Sequence, residues 1–188
     1  MRIIFAGTSD FAVPSLQALI NQGYDIPMVI TQADRPSGRG KKLSQTPVKE
    51  FVLESDIPVF QPERISSPES LDKIIVLGEI DVFVVVAYGQ KIPKQLLEWP
   101  KLGVVNVHGS LLPSYRGAAP IQMSIICGDT TTGVTTMFMN EGWDTGDILM
   151  QSSLDIAVNE NAAELSARLS LLGADLLVET RSEERRVG

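Results

Sequence analysis

The sequence has very few of the residues that build disulfides and metal sites, with one cysteine and one histidine among 188 residues. A single cysteine excludes an internal disulfide, so the fold must depend on a hydrophobic core, and a chain of this length can build one well-cored domain. Cys127 lies in the apolar run SIICG, where we predict a buried, unreactive thiol. No Cys and His residues are grouped with metal-ligand spacing, so we expect no metal site.

Long apolar runs are also missing. No run approaches the ~18 residues that a membrane-spanning helix needs. The first residues, MRIIFAG, are typical of a strand and not of a basic leader with a cleavage site. We therefore predict a monomeric, cytoplasmic protein that has no membrane partner.

The common nucleotide and hydrolase motifs are absent as well. The segment AGTSDF has one glycine where the dinucleotide fingerprint G-x-G-x-x-G needs three, and there is no P-loop. No G-x-S-x-G motif is present, which argues against a hydrolase that acts through serine. We expect a site that uses neither NAD nor a metal ion.

Basic residues are scarce in general but concentrated in one place. The formal net charge of −7 argues against nucleic-acid binding through the whole surface. Residues 35–42, RPSGRGKK, nevertheless contain Arg35, Arg39, Lys41 and Lys42 with no acidic residue between them. On charge alone, such a segment is more typical of a solvated surface loop than of a binding site.

What the sequence does contain is an alternation of short β-branched runs with helix-like segments. This pattern predicts a doubly wound, mostly parallel open α/β sheet of the Rossmann-like type, in which ligands bind beyond the carboxyl ends of the strands. Helix starts are indicated by Ser9 with Asp10, and by Asn161 with Glu164 three positions later. The predicted strands are Arg2–Ala6, Ile26–Thr31, Pro58–Gln61, Val82–Ala87, Gly103–Val107 and Gly133–Met139.

Three polar residues near predicted strand ends are candidates for catalysis. Asn106 and His108 alternate at the end of one strand, so their side chains point to the same side. Asp144 lies in the glycine-rich turn EGWDTGDIL. Taken singly, a lone histidine is more often structural and a turn aspartate more often bonds its own backbone. Together, the three are suited to acid/base chemistry and to stabilising an oxyanion.

These segments resemble a known family. The runs GVVNVHGSLLPSYRGAAPIQ and GVTTMFMNEGWDTGDIL resemble the core of formyltransferases that use 10-formyltetrahydrofolate. Three more segments, IIFAGTSDFAVPSL, TQADRPSGRGKKL and VVVAYGQKIP, are similar to the methionyl-tRNA branch of that family. The resemblance runs from about Arg2 to about Glu179. Ser114 departs from it, because a basic residue commonly precedes the aromatic residue that is Tyr115 here.

The resemblance implies both a reaction and a set of site residues. The reaction is formyl transfer from 10-formyltetrahydrofolate to the α-amine of initiator Met-tRNA, in translation initiation. Asn106, His108 and Asp144 would be catalytic, and the basic segment would contact the tRNA acceptor stem, with Arg39 as the main reader. The tetrahydrofolate site would be lined by Ser110, Leu111, Leu112 and Pro113. The wall of its pterin pocket would be formed by Val86, Ala87, Tyr88 and Gly89.

The resemblance also bears on domain organisation and on the alternatives. Residues 1–180 correspond to the catalytic domain, and a C-terminal barrel-like domain that adds tRNA-binding surface has no counterpart in this sequence. Residues 181–188, RSEERRVG, give no capping or core pattern, so we expect a tail of doubtful origin on a fragment. The alternatives are a related formyltransferase that acts on a sugar nucleotide or purine precursor, and an inactive fragment that binds folate or tRNA.

Overall fold

The computed structural model describes residues 1–37 and 42–187, with the side chains of 36, 37, 42 and 181–187 left out. Nine strands occur in the described residues: β1 Arg2–Gly7, β2 Asp25–Ile30, β3 Arg35–Ser37, β4 Lys42–Ser44, β5 Val59–Phe60, β6 Val82–Val86, β7 Val104–His108, β8 Thr131–Phe138 and β9 Ile148–Asp155. The helices there are α1 Val13–Asn21, α2 Pro47–Val52, α3 Pro68–Ile75, α4 Lys94–Leu97, α5 Pro120–Ile126 and α6 Ala162–Val187, and a 3-10 turn covers Asp10–Ala12.

The main sheet has the strand order β5-β2-β1-β6-β7-β8-β9. The pairings from β5 through β7 are parallel, whereas β8 and β9 run antiparallel at one edge. From β1 the chain passes to β2 on one side and later to β6 on the other, so the winding direction reverses between β1 and β6. The predicted mostly parallel, doubly wound fold is confirmed, and its crevice lies at this reversal.

Two apolar clusters cover the two faces of the sheet, which explains why β6 is apolar at every position. One cluster includes Phe5, Val84 and Leu16 of α1, and the other includes Ile4, Phe83 and Ile74 of α3. All five residues of β6 are buried. A central strand covered on both faces cannot place polar side chains anywhere along its length.

Helix α6 begins where the sequence predicts a start. The side-chain oxygen of Asn161 accepts hydrogen bonds from the backbone N–H groups of Ala163 and Glu164, at 2.9 and 3.1 Å. In return, the Glu164 carboxylate accepts from the Asn161 N–H at 2.9 Å. This reciprocal capping box satisfies N–H groups that have no partner inside the helix.

Several sequence predictions differ from the structure in detail. Cys127 is exposed at the end of α5, so the prediction of a buried thiol is wrong. Helix α5 buries only one face, and Ile126 is exposed as well. Ser9 starts a 3-10 turn, but its side chain makes no capping hydrogen bond. Within residues 1–37 and 42–187, no helix is both long enough and apolar enough to cross a membrane.

Candidate active site

A cavity of about 520 Å³ opens at the carboxyl ends of the central strands. The residues that follow β1, β6 and β7 contribute to its wall, among them Ser9, Ala87 and Gly109. Asn106, His108 and Asp144 all line it. The three residues predicted to be catalytic are therefore brought together at the edge where an open α/β sheet binds ligands.

His108 ends β7 and is held by the backbone of the loop that follows. The residue is only 6% exposed, and its Nε2 lies 2.9 Å from the carbonyl oxygen of Tyr115. A carbonyl oxygen can only accept a hydrogen bond, so Nε2 must carry a proton. In the neutral ring, Nδ1 is then the unprotonated nitrogen, and it is the atom that can take up a proton.

Asp144 lies beside that nitrogen. Its Oδ2 is 3.7 Å from His108 Nδ1, which is within ion-pair range but too long for a hydrogen bond. The same oxygen accepts a hydrogen bond from the backbone N–H of Gly117 at 2.8 Å. The Tyr115 carbonyl therefore orients the ring, and the Asp144 carboxylate lies close to the ring nitrogen that this contact leaves open.

The loop between β8 and β9 presents Asp144 in an unusual backbone conformation. Asp144 has φ +49°, a left-handed geometry that aspartate tolerates better than most residues. Asn140 stabilises the turn, because its side-chain oxygen accepts from Gly142 N–H and Thr145 Oγ1, each at 2.9 Å. Gly146 packs against the carbonyl oxygen of Phe138, where a Cβ atom would have no space. The loop is therefore fixed by its own contacts.

Asn106 precedes His108 by two residues and faces the same cavity. It pairs with Val85 of β6 on one side and with Met137 of β8 on the other, so its backbone position is set by both neighbours. Its side-chain amide is half-buried and forms no hydrogen bond with the part of the chain that the structure describes. The amide is therefore free to donate to an oxygen inside the cavity.

The segment Ser110–Pro113, predicted to line a folate site, does not line this cavity. Ser110 and Leu112 are 0% and 5% exposed. Thr135 Oγ1 donates to the Ser110 carbonyl at 2.7 Å and accepts from Leu112 N–H at 3.1 Å. The segment packs behind the site and supports the loop that carries Tyr115 and Gly117.

The second predicted folate segment, Val86–Gly89, is at the cavity. Ala87, Tyr88 and Gly89 line it, whereas Val86 is buried in the sheet. The Tyr88 carbonyl accepts from Thr8 Oγ1 at 2.8 Å and from Gln32 Nε2 at 2.9 Å, which anchors this turn to the ends of β1 and β2. Burial raises the pKa of the Tyr88 phenol, so that side chain remains neutral.

Part of the cavity wall consists of apolar residues that were not predicted from the sequence. Phe11, Ile92 and Met139 supply apolar surface, and Trp143 is 69% exposed at the rim next to Asp144. None of them belongs to a polar motif, and apolar residues near strand ends are indistinguishable from core residues in a sequence. Trp143 alone could have been identified as a site residue from the sequence, because a large aromatic residue inside a glycine-rich turn has little core to pack against.

The two described ends of the basic segment lie in paired strands, which we call the basic hairpin, where the sequence suggested a loop. Strands β3 and β4 pair antiparallel, with Arg35 opposite Ser44. Arg35 donates to the Gln32 side chain at 2.6 Å, and Asp34 at the base pairs with Lys49 at 2.6 Å. Arg39 and Lys41 lie outside the described residues, and only the backbone of Lys42 is described. Among described residues, no group of three or more His, Cys, Asp or Glu side chains could hold a metal ion.

Comparisons with known proteins identify relatives of this chain. The sequence profile of the family described as "Formyl transferase" matches residues 1–180. Over 180 residues the chain is 53% identical to a methionyl-tRNA formyltransferase of Ruminiclostridium cellulolyticum. The alignment covers 96% of this chain and 57% of that protein. The chain thus spans little more than half of that relative.

Solved structures of formyltransferases share the fold. A phosphoribosylglycinamide formyltransferase from Bacillus halodurans superposes with a TM-score of 0.76 at 24% identity, covering 96% of this chain and 93% of that one. A sugar 3N-formyl transferase, WlaRD, solved in the presence of dTDP and 5-N-formyl-THF, gives a TM-score of 0.69 at 24% identity, covering 97% of this chain and 62% of that one. At these identities the likeness extends to the fold alone.

Proposed function

The chain belongs to the formyl transferase family, and we propose that it carries the catalytic residues of an enzyme that formylates the α-amine of methionyl-initiator tRNA, with 10-formyltetrahydrofolate as the donor. The observation that carries this proposal is the meeting of Asn106, His108 and Asp144 in one cavity. The similarity to a methionyl-tRNA formyltransferase supports the choice of acceptor. As translation takes place in the cytoplasm, the proposal includes that location.

The site residues suit the charges that develop in formyl transfer. When a neutral amine adds to a formyl carbon, the formyl oxygen gains negative charge and the nitrogen must lose a proton. Asn106 would donate its free amide N–H to that oxygen. His108 would accept the amine proton on Nδ1, the ring nitrogen not engaged by Tyr115. It would then pass that proton to N10 of the folate as the bond between N10 and the formyl carbon breaks, so that tetrahydrofolate leaves as a neutral amine. Asp144, 3.7 Å from Nδ1, would stabilise the resulting imidazolium.

The cavity wall has the features that a folate needs. A pterin ring is flat and has a polar edge, so it requires apolar faces and nearby backbone donors and acceptors. Ile92 and Met139 offer apolar surface, while Ala87 and Gly89 are exposed and bring backbone to the wall. We propose that residues 87–89 contact the pterin. In the same proposal, Ser110–Pro113 pack behind the cavity and support its wall. The folate supplies the formyl group, and the chain supplies binding and proton transfer.

The basic hairpin is suitably located for the acceptor RNA. Arg35 bonds to Gln32, and Gln32 in turn bonds to the Tyr88 carbonyl in the cavity wall. The hairpin therefore starts beside the cavity, and an RNA end that reaches the cavity would pass it. We propose that Arg35, Arg39, Lys41 and Lys42 contact the acceptor stem, mainly through phosphates. An acidic chain with so few basic side chains would bind tRNA weakly by itself.

A formylation assay with 10-formyltetrahydrofolate and methionylated initiator tRNA tests the proposal. It compares this chain with a form extended by the remaining sequence of a relative. We expect transfer by the extended form. Asn106→Asp, which replaces a donor with an acceptor of the same shape, should lower kcat on the order of 100- to 1000-fold. Arg39→Ala should raise KM for tRNA and leave KM for the folate unchanged.

The matched control is Asn21→Asp on α1. The Asn21 side chain is exposed and accepts from Gln17 at 2.8 Å, a role that aspartate retains, so parental activity is expected. If neither form formylates Met-tRNA but one of them formylates a purine or sugar-nucleotide precursor, the acceptor assignment is wrong. Folate binding without transfer to any acceptor would instead identify an inactive binding module.

A further inference from the structure

We propose that Tyr115 and Asp129 are positioning residues, which hold His108 and Asp144 at their working separation without touching substrate. The inference rests on the proposed function for its kinetic consequences, but its structural part can be tested without any activity. Neither residue lines the cavity. They act through the loop of residues 110–117, which joins β7 to the segment before α5.

This loop contacts both members of the proton-transfer pair. The carbonyl of Tyr115 accepts from His108 Nε2 at 2.9 Å, and two residues later the N–H of Gly117 donates to Asp144 Oδ2 at 2.8 Å. One short stretch of backbone therefore sets the tautomer of the imidazole and the position of the carboxylate. A shift of this stretch would change both contacts together.

The backbone of this stretch does not adopt its conformation by local preference. Tyr115 has φ +53°, in the left-handed region that a residue with a Cβ atom rarely occupies, and Gly117 has φ +102°. A tyrosine stays in that region only when tertiary contacts over-determine it. The loop must therefore be held in place from outside.

The tyrosine side chain provides such an external contact. Its hydroxyl donates to Asp129 Oδ2 at 2.6 Å, a short bond to a charged acceptor. Asp129 is fixed in turn, because its own N–H donates to the Ser124 carbonyl at 3.0 Å in the last turn of α5. The Asp129 carboxylate, and to a lesser degree the Cys127 thiol, raises the pKa of the Tyr115 phenol, which keeps the hydroxyl protonated as a donor.

The rest of the loop is held by different contacts, so loss of the Tyr115–Asp129 bond should not unfold the protein. At its start, Ser110 and Leu112 are buried and bonded to Thr135. Gln151 Nε2 also donates to the Leu112 carbonyl at 2.9 Å. Ser110 Oγ donates to the Ser114 carbonyl at 2.6 Å and fixes the loop up to that residue. Asp129 therefore acts on the part that follows, which is the part that contacts His108.

The structural test uses the imidazole nitrogens of His108, the only histidine in the sequence. ¹⁵N spectra of the untagged chain should show Nε2 protonated and Nδ1 unprotonated in the neutral ring. In Tyr115→Phe and in Asp129→Ala, we expect the two nitrogen shifts to move toward each other, as the tautomers mix. Tyr24→Phe removes a hydroxyl elsewhere and should leave the spectrum unchanged.

The kinetic test uses whichever form of the protein is active in the formylation assay. Each of the two variants should lower kcat about tenfold, because a displacement of a fraction of an ångström has effects of that order. KM for the folate should change by less than about twofold, and the double variant should be no worse than either single one. The control is Asp155→Ala, which removes an exposed carboxylate bonded to Thr131 at 3.1 Å.

Either of two results would overturn the inference: an unchanged imidazole spectrum in both variants, or a changed spectrum with parental kcat. If a variant fails to fold, Asp129→Asn replaces it. Asparagine retains an oxygen acceptor without the charge, and its spectrum and kcat should lie between those of the parent and of the alanine variant; parental values for both would contradict the inference. If neither this chain nor its extended form transferred a formyl group, the proposed function would be refuted, while the spectra would still decide the positioning role.

Discussion

His108 donates its Nε2 proton to a backbone carbonyl, and this leaves Nδ1 as the unprotonated nitrogen of the neutral ring. Asp144 faces Nδ1 without a hydrogen bond to it and is itself bonded to Gly117 N–H. Two different groups therefore contact the imidazole: the Tyr115 carbonyl orients it, and in the proposed mechanism Asp144 stabilises its charge.

This division predicts the behaviour of Asp144→Asn. Asparagine tolerates the left-handed conformation and can still accept from Gly117 N–H, so the loop should remain in place. The charge that stabilises the imidazolium is lost, and kcat should fall about 100-fold or more. Kinetics and thermal denaturation of the variant measure the two effects, and the melting temperature should change by no more than about 2 °C.

Asp147→Asn is the matched control for that prediction, because it removes the same charge from the same loop at an exposed position outside the cavity. It should retain activity within about threefold. Near-parental kcat in Asp144→Asn would exclude an electrostatic role for Asp144.

At the scale of elements, the site depends on two loops with unfavourable backbone geometry, and both loops are supported by strand β8. Residues 110–117 rest on Thr135 of β8, and the Asp144 loop rests on the end of β8 through Gly146. Such geometry persists only where the surrounding structure imposes it. Strand β8 therefore supports both of the loops that contact His108 and Asp144.

Gly146→Ala tests the support of the Asp144 loop. A Cβ atom there would collide with the carbonyl oxygen of Phe138, so the loop must move away from β8 and carry Asp144 with it. We expect a lower melting temperature and a fall in kcat of about tenfold or more. Thermal denaturation and steady-state kinetics give both values.

The comparison for Gly146→Ala is Gly23→Ala, a glycine with φ +70° that has no atom within 4 Å of the added Cβ. It should cost about 1 kcal/mol in the free energy of unfolding, because of backbone strain, and leave kcat unchanged. Parental kcat in Gly146→Ala would show that the position of Asp144 does not depend on this contact.

At the scale of the whole molecule, acidic groups with lowered pKa link stability to pH. A hydrogen bond from Lys49, aided by Gln61, holds the pKa of Asp34 below its ordinary value of 3.8. A hydrogen bond from Arg168, aided by the Ala157 N–H, holds the pKa of Glu160 below 4.5. Both pairs tie together separate parts of the chain: Asp34 and Lys49 close the base of the hairpin, and Glu160 and Arg168 join the turn before α6 to that helix.

The free energy of unfolding should therefore fall in acid. Below about pH 4.5 the unfolded chain takes up protons at these two positions before the folded chain does. The stability that both carboxylates contribute above that pH is therefore lost as the pH falls through their pKa values in the folded chain. Urea denaturation from about pH 7 to about pH 3 measures this slope. Asp34→Asn and Glu160→Gln should each be less stable near neutral pH and give a shallower slope.

Asp56→Asn is the control for the acid series, because Asp56 is exposed and forms no ion pair with the described residues. It should give the parental slope. A parental slope in the Asp34 and Glu160 variants too would mean that neither pair is linked to folding.

Features that depend on local spacing can be predicted from the sequence alone. The two-residue period of a strand places Asn106 and His108 on one face, the continuous apolar run of β6 requires a strand covered on both sides, and Asn161 with Glu164 caps α6. The family resemblance and the parallel sheet follow from such segments, and both predictions are confirmed.

Contacts between distant residues depend on the tertiary structure and could not be predicted from the sequence. Asp144 reaches His108 because β8 returns antiparallel beside β7, Tyr115 reaches Asp129 across α5, and Cys127 is exposed because α5 packs by one face only. Ser110 and Leu112 are part of the same family motif as His108, yet Thr135 of β8 holds them behind the cavity. Local propensity acts over a few residues, whereas these contacts join residues far apart in sequence, and their geometry is set by sheet order and packing.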